Sequence, residues 1–369
     1  MRLAEICEIN MGQSPESSSY NESGEGMPFF QGNADFGELH PKVRIWCNAP
    51  TKIAECGDIL ISVRAPIGAL NIADKQCCIG RGLAALTVNE TLCDPKYLWY
   101  GLECKVDELN SKGTGSTFKA INKKTLAETE MPLPPLEEQR RIAALLDKIS
   151  DLIAKRRAQL DKLDLLVKAR FVEMFGDPSV NTRWLTMKLS QLGELNRGVS
   201  KHRPRNDPRL LGGAYPLIQT GDVSNSGLYI LIYSSTYSEL GLEQSRLWKS
   251  GTLCITIAAN IAQTSILTFD ACFPDSVVGF VPNDNTNSVF IHYWFSFFQK
   301  ILEEQAPQVA QKNINLKILS DLDVIVPPYA LQEDFSVFVD CVEKSKLTIQ
   351  QSFNKLEIFK KALMQQYFG

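Results

Sequence analysis

"MPLPPLEEQRRIAALLDKIS" runs from Met131 to Ser150, and "VIVPPYALQEDFSVFVDCVE" runs from Val324 to Glu343. Each writes two prolines, three further residues and a glutamine, then a long segment with apolar residues three and four apart. Proline fixes its own φ and biases the preceding residue away from helix, so both stretches predict an extended exit from one element. A proline just before a helix is tolerated because the first-turn N–H groups have no intrahelical partner. Glu137 and Glu138 then favour the positive end of the helix that follows.

Working outward, Ile142, Leu146, Ile149, Ile153, Leu160, Leu163, Val167 and Met174 form one apolar stripe. Phe335, Val339, Val342, Ile349, Phe353, Leu356, Leu363 and Tyr367 form a second. Stripes kept up for about five heptads are coiled-coil seams. A helix of that length spans about 60 Å, more than one small domain covers, so the two stripes are expected to pack on each other. Arg156 and Arg170 interrupt the first stripe, Lys346 and Lys360 the second.

The duplication extends well beyond the prolines. An offset of 193 maps Pro134-Pro135 onto Pro327-Pro328, Gln139 onto Gln332, Ile121-Asn122 onto Ile314-Asn315, Lys119 onto Lys312, and Phe175-Gly176 onto Phe368-Gly369. "RLAEICEINMGQS" (Arg2–Ser14) echoes "KLSQLGELNRGVS" (Lys188–Ser200), and "GDILISVRAPIG" (Gly57–Gly68) echoes "GTLCITIAANIA" (Gly251–Ala262). An ordered series of matches whose offset drifts slightly is the mark of a repeat with loop insertions. "ILISV" and "LCITIA" read as buried strands, "YLWYGLECKVDEL" and "IHYWFSFFQKILEE" as apolar-faced helices. The expected fold is α+β: two mixed α/β domains separated by two long antiparallel coiled-coil helices, with a pseudo-twofold internal repeat. Boundaries are expected at 1–132, 133–177, 178–326 and 327–369.

Composition is that of a globular chain, 44% hydrophobic and 22% charged over 369 residues. The sequence holds no run of about 18 apolar residues, so no membrane span is expected. "MRLAEICEIN" carries acids and lacks an apolar core, which predicts no signal peptide. Ten cysteines without CxxC or CxxH spacing read as reduced thiols of a cytoplasmic protein, with no zinc site. Residues 1–131 hold 13 Lys+Arg against 17 Asp+Glu and residues 178–328 hold 12 against 12, but the second region gathers its cations into "GVSKHRPRNDPR".

This organisation, with "LPPLEEQRRIAALL" between two mixed domains, closely resembles the specificity (S) subunit of type I restriction–modification enzymes over essentially the whole chain. "GQSPESSSYNESGEGMPFFQGNADFG" and "GVSKHRPRNDPRLLGGAYPLIQTGDV" both look like openings of that family's target-recognition domains, and "FPDSVVGF" like a later segment of one. The resemblance implies that each domain reads one half of a bipartite site on double-stranded DNA. It implies that the helices act as a ruler and bind two modification (methyltransferase) subunits, with ATP-dependent restriction subunits joining through the complex. It implies no cofactor on this chain. The second proline element lacks the Glu-Glu-Gln-Arg-Arg run, so partner contacts are expected to differ between the two helices.

Reading DNA needs donors and acceptors held on loops by a rigid scaffold. In the second half Lys201, His202, Arg203, Arg205 and Arg209 are the leading candidates, since arginine is bidentate to guanine or pairs with phosphate; a solvated charged loop is the plain alternative. Gln219, Thr220, Asn260 and Gln263 are weaker ones. In the first half the candidates are Gln13, Ser14, Tyr20, Gln31, Arg64 and Arg81, with Ser116 and Lys119 in "KGTGSTFKAIN", which reads equally well as a flexible loop. Glu138, Gln139, Arg141 and Gln332 are candidates for partner contact. "VPPY" (Val326–Tyr329) resembles part of an amino-methyltransferase tetrapeptide, but Val326 has no side-chain oxygen to accept from the amine being methylated. No phosphate-binding glycine loop accompanies it. The chain therefore reads as non-catalytic, without metal. A self-contained methyltransferase or nuclease with degenerate motifs, and a coiled-coil scaffold without nucleic acid, are the alternatives; labelled S-adenosylmethionine and salt-dependent DNA binding separate them.

Overall fold

In the computed structural model the two proline pairs each launch a helix of 40 residues, Leu136–Phe175 and Tyr329–Phe368. The structure describes residues 1–115, 119–180, 183–258, 261–305 and 314–369, with the side chains of 179 and 298–305 left aside. Gln139 shows why the proline spacing matters. Its Nε2 donates to the Pro134 carbonyl (2.8 Å) and the Leu92 carbonyl (3.0 Å), while its Oε1 accepts from the Asp94 N–H (2.9 Å). Gln332 repeats the device on Pro327 (2.9 Å), Asn285 (2.9 Å) and the Thr286 hydroxyl (2.9 Å). Each glutamine thus satisfies a carbonyl that proline leaves without a helical partner and pins the helix start to its domain.

The chain divides into two compact units, Met1–Ala158 with Gln350–Gly369, and Gln159–Ile349. The first unit holds a sheet with Cys7–Met11, Leu83–Val88, Ile59–Ser62 and Leu70–Ile72 in that order, all antiparallel. The second unit orders Gly193–Arg197, Val277–Pro282, Leu253–Thr256 and Thr264–Leu267 in the same way and adds Tyr229–Ile230 at the edge. The registers match: Ile61 opposes Leu70, and Ile255 opposes Thr264. A second sheet in each unit carries a parallel pair, Met27–Phe30 with Cys77–Ile79 and Leu211–Leu217 with Ala271–Cys272. Caps repeat too, since Asn122 accepts from the Thr125 N–H and Asn315 from the Ile318 N–H, both at 2.9 Å. The expected α+β duplication is what the structure shows. One expected helix differs: "YLWYGLECKVDEL" breaks at Lys105 into Pro95–Cys104 and Val106–Ser111.

Within each unit the start of one long helix packs beside the end of the other, so they run antiparallel there. In the first unit Ile142, Leu146 and Ile149 share a core with Leu363 and Phe368, and Arg157 lies 5.5 Å from the Phe353 ring centre. In the second, Phe171 and Phe175 pack on Phe335 and Phe290 at 5.0–5.5 Å. The cations that interrupt the stripes are partnered: Lys346 with Asp164 (2.8 Å), Lys360 with Glu103 (3.1 Å), and Arg170 with Glu173 (2.8 Å). Among the described residues no helix is long and apolar enough to cross a membrane.

Candidate nucleic-acid interface

In the first unit one backbone network gathers most of the candidates. The Gly12 N–H donates to Leu83, the Gln13 N–H to Ile79 (3.0 Å), and the Gly80 N–H to Phe30 (2.8 Å). The Arg81 N–H reaches the Ser14 hydroxyl at 3.3 Å. Gly80 and Gly82 lie against Gln31, and a Cβ at Gly82 would stand 2.3 Å from the Gln31 carbonyl oxygen. Tyr20 packs against Phe29 with tilted rings (4.8 Å) and donates its hydroxyl to the Pro15 carbonyl (2.8 Å). Burial raises its phenol above the ordinary range. From there the Val63 N–H donates to Gly82 (2.9 Å), the Ile121 N–H to Val63 (2.9 Å) and the Ala65 N–H to Lys119 (3.0 Å). Gln13, Ser14, Tyr20, Gln31, Arg64, Arg81 and Lys119 therefore belong to one continuous cluster of loops. Gln13, Gln31, Arg64, Arg81 and Lys119 are exposed.

The second unit repeats that cluster. The Gly198 N–H donates to Val277 and the Val199 N–H to Phe273 (3.1 Å), Ile257 to Ser276 (3.1 Å), and Ile314 to Ile257 (3.0 Å). Gly12 and Gly198 hold equivalent places, and at each a Cβ would collide with a carbonyl oxygen, 2.1 Å from Gly80 and 2.2 Å from Phe273. Only glycine permits that approach. Gln31 and Gln219 are equivalent as well. Each donates its backbone N–H to an aspartate within the short helical turn that follows, Asp35 at 2.7 Å and Asp222 at 2.8 Å. Thr220 begins the helix Thr220–Asn225.

The side chains on this shared frame differ sharply. Arg81 aligns with Asp275 at an offset of 194. Asp275 takes Arg205 in a short ion pair and Arg203 at 3.8 Å. Arg203 also donates to the Ser200 carbonyl at 2.6 Å. His202 Nε2 lies 3.1 Å from Asp207, and Arg209 lies 2.7 Å from the same carboxylate. The Arg209 side chain, its backbone N–H and His202 hold Asp207 well below the usual carboxylate range. Lys201 is exposed. The basic loop is thus a braced turn, clamped by two acids that the sequence reading did not single out. The 194-residue offset that matched Gly57–Gly68 to Gly251–Ala262 was signal enough to find Asp275. Ser116 and Asn260 lie outside the described residues.

On the helices, Arg141 is exposed and Glu138 half-buried, and the two are paired with each other at 2.6 Å. Gln139 and Gln332 are 1% and 0% exposed. They are corrected from partner-facing to internal residues, because all their hydrogen bonds go to their own domain. The sequence reading did not single out the exposed apolar residues that lie off the seam on both long helices. Leu165 (64%) and Leu166 (47%) are exposed on the first long helix, and Ile358 (70%) and Phe359 (51%) on the second. An offset of 193 relates the two pairs.

Two similar units that share a glycine-dependent loop frame and differ in its side chains form the pattern with which known proteins were compared. The description "Type I restriction modification DNA specificity domain" matches residues 1–163 and 181–357. The chain belongs to that family. Among type I specificity subunits it is 47% identical over 156 residues to the Methanocaldococcus jannaschii chain assigned as MjaX, covering 42% of this chain and 37% of that one. It is 32% identical over 123 residues to MjaIX of the same organism, covering 33% and 28%. It is 22% identical over 333 residues to EcoBI of Escherichia coli, covering 78% and 68%. The match thus spans well under half the length of the two M. jannaschii relatives. The fold resembles a solved type I S subunit from M. genitalium, with a TM-score of 0.58 and 16% identity over 100% of this chain and 95% of that one. It also resembles a chain solved in work on assembly and conformational transition of the type I system, with a TM-score of 0.61 and 17% identity over 100% and 96%.

Proposed function

We propose that this chain is the non-catalytic DNA-recognition subunit of a cytoplasmic type I restriction–modification complex. Each unit's loop cluster reads one half of a bipartite target on double-stranded DNA. The observation that carries this reading is the repeated frame with unlike side chains, Arg81 in one unit and Asp275 with Arg203 and Arg205 in the other. A constant scaffold with variable exposed donors is what reading two different half-sites requires. The segments 1–132 and 178–326 act as the recognition domains, and 133–177 and 327–369 as the spacer helices. Two modification subunits dock on these helices, one on Leu165-Leu166 and one on Ile358-Phe359. Restriction subunits join through them, and the helix length sets the gap between half-sites.

The test uses the complex assembled with its modification subunit. Arg203→Ala or Arg205→Ala is expected to weaken binding to the cognate site by about 1–3 kcal/mol and to reduce methylation there. Wild-type binding by both variants across a salt titration would remove the basic loop from the interface.

A further inference from the structure

The first unit holds a cavity of about 830 Å³, lined by Leu70, Ile72, Trp99, Tyr100, Asp147 and Lys96 among others. It lies beside Leu70–Ile72, the edge strand of its sheet. The second unit shows what the same place looks like when filled. There the Ile266 N–H donates to Leu228 (2.8 Å), as the Ile72 N–H donates to Leu39 (2.9 Å). Beyond that shared bond the two halves part. In the second unit Tyr229–Ile230 continues as a parallel strand on Ile266 and Leu267. The Tyr229 hydroxyl donates to Asp340 at 3.0 Å. Asp340 aligns with Asp147, and Tyr293 with Tyr100, at an offset of 193. A cavity of about 170 Å³ lies in this unit, lined in part by His292 and Ser296, which align with Trp99 and Glu103.

In the first unit His40 stands where Tyr229 stands in the second, and it donates Nδ1 to the Ile72 carbonyl at 2.9 Å. Pro41 follows. It has no N–H and cannot extend the ladder. Leu39 stays 48% exposed. The aspartate is occupied differently as well: Asp147 takes Lys96 and the Tyr100 hydroxyl (2.8 Å). The first unit therefore keeps the sheet edge, the apolar floor and the carboxylate of a tyrosine-strand site, and supplies no strand.

We propose that this groove docks an extended segment of a protein partner, bearing a tyrosine between aliphatic residues. The segment pairs with the sheet edge at Leu70, beside the Ile72 N–H and carbonyl that Leu39 and His40 hold, lays its ring on Trp99 and the aliphatic floor, and donates its hydroxyl to Asp147. Strand addition with a side-chain pocket is an established mode of peptide recognition. Asp151 on the rim favours a basic residue beside the tyrosine, while Glu103 is already paired with Lys360.

The probe is a peptide of this chain's own Ser226–Ile230, which fills the equivalent site, extended by two lysines and labelled. It is titrated against the full chain. One peptide is expected to bind per chain, and replacing its tyrosine by phenylalanine is expected to weaken binding roughly ten-fold, the value of a hydrogen bond to a charged acceptor. Ala69→Trp, which fills the groove, is expected to abolish binding. Asp147→Asn is expected to erase the difference between the two peptides while leaving the fold intact. No binding at the solubility limit, or equal binding to Ala69→Trp, would overturn the proposal. Tyrosine amide binding as tightly as the peptide would make this a small-molecule site. Self-association of the chain lost in Ala69→Trp would make the occupant a second copy. Either result refutes a partner's strand.

Discussion

Gln139 and Gln332, themselves buried, each direct three hydrogen bonds to their own domain. Alanine at either position leaves two carbonyls and a donor without partners inside the protein. Each unsatisfied buried group costs about 1–3 kcal/mol, so Gln139→Ala and Gln332→Ala are each expected to lower stability by at least about 2 kcal/mol in urea unfolding followed by tryptophan fluorescence. The spacing of proline and glutamine was legible in the sequence. The direction of the amide was not, because it depends on carbonyls of Leu92 and Asn285 more than 40 residues upstream. A second residue carries a pH signature. Burial, reinforced by the charge of Lys346, pushes His292 down from 6.5 to about 4. The unfolded chain then binds more protons between those values, so stability falls as pH drops through that window and falls no further below it. His292→Phe is expected to flatten this dependence by up to about 1.4 kcal/mol per pH unit, read from unfolding midpoints between pH 4 and 6.5. An unchanged slope would mean the imidazole stays solvated.

At the scale of the elements, the two apolar stripes were legible because spacings of three and four hold one face of a helix. Ile142, Leu146, Val339 and Val342 are buried, while Ile153, Leu160 and Phe353 are only partly covered. What periodicity does not reveal is an apolar pair off the seam. Leu165-Leu166 and Ile358-Phe359 are such pairs, and charged residues there are tolerated by the free chain because the positions are exposed. Leu165→Asp with Leu166→Asp is expected to cost one modification subunit, and Ile358→Asp with Phe359→Asp the other. Native mass measurement gives the count directly. A complex that keeps two modification chains in both variants would place docking elsewhere on the helices.

Over the whole molecule the duplication was legible from its offsets, since framework residues such as Gly12 and Gly198 or Asn122 and Asn315 do identical backbone work in each copy. The contents of the site were less so. Candidates could be drawn from residue type, but the pairing of Arg203 and Arg205 with Asp275 joins segments 70 residues apart. If the spacer helices set the gap between half-sites, one added turn in each, such as a duplicated Leu160–Leu163 with a matching turn in the second helix, lengthens them by about 6 Å. The gap is then expected to grow by one or two base pairs, at about 3.4 Å each, with both half-sites unchanged in a methylome. An altered half-site at constant gap would refute the ruler.

The Asp275 clamp has a bearing on how a target is searched for. Arginines that already hold a carboxylate present less net charge to a passing duplex, so they neutralise fewer phosphates and displace fewer condensed ions from random DNA. If the loop meets DNA as proposed, the clamp makes it a reluctant binder, slow to linger on the wrong sequence and released only where bases and phosphates together outbid an internal anion. Asp275→Asn is expected to tighten binding to unrelated DNA and to steepen its dependence on salt by about one unit of log K per log of concentration. Affinity for the true site rises less, so the protein gains grip and loses discernment. Equal salt slopes for the variant and the wild type would mean that the carboxylate lets go before DNA arrives.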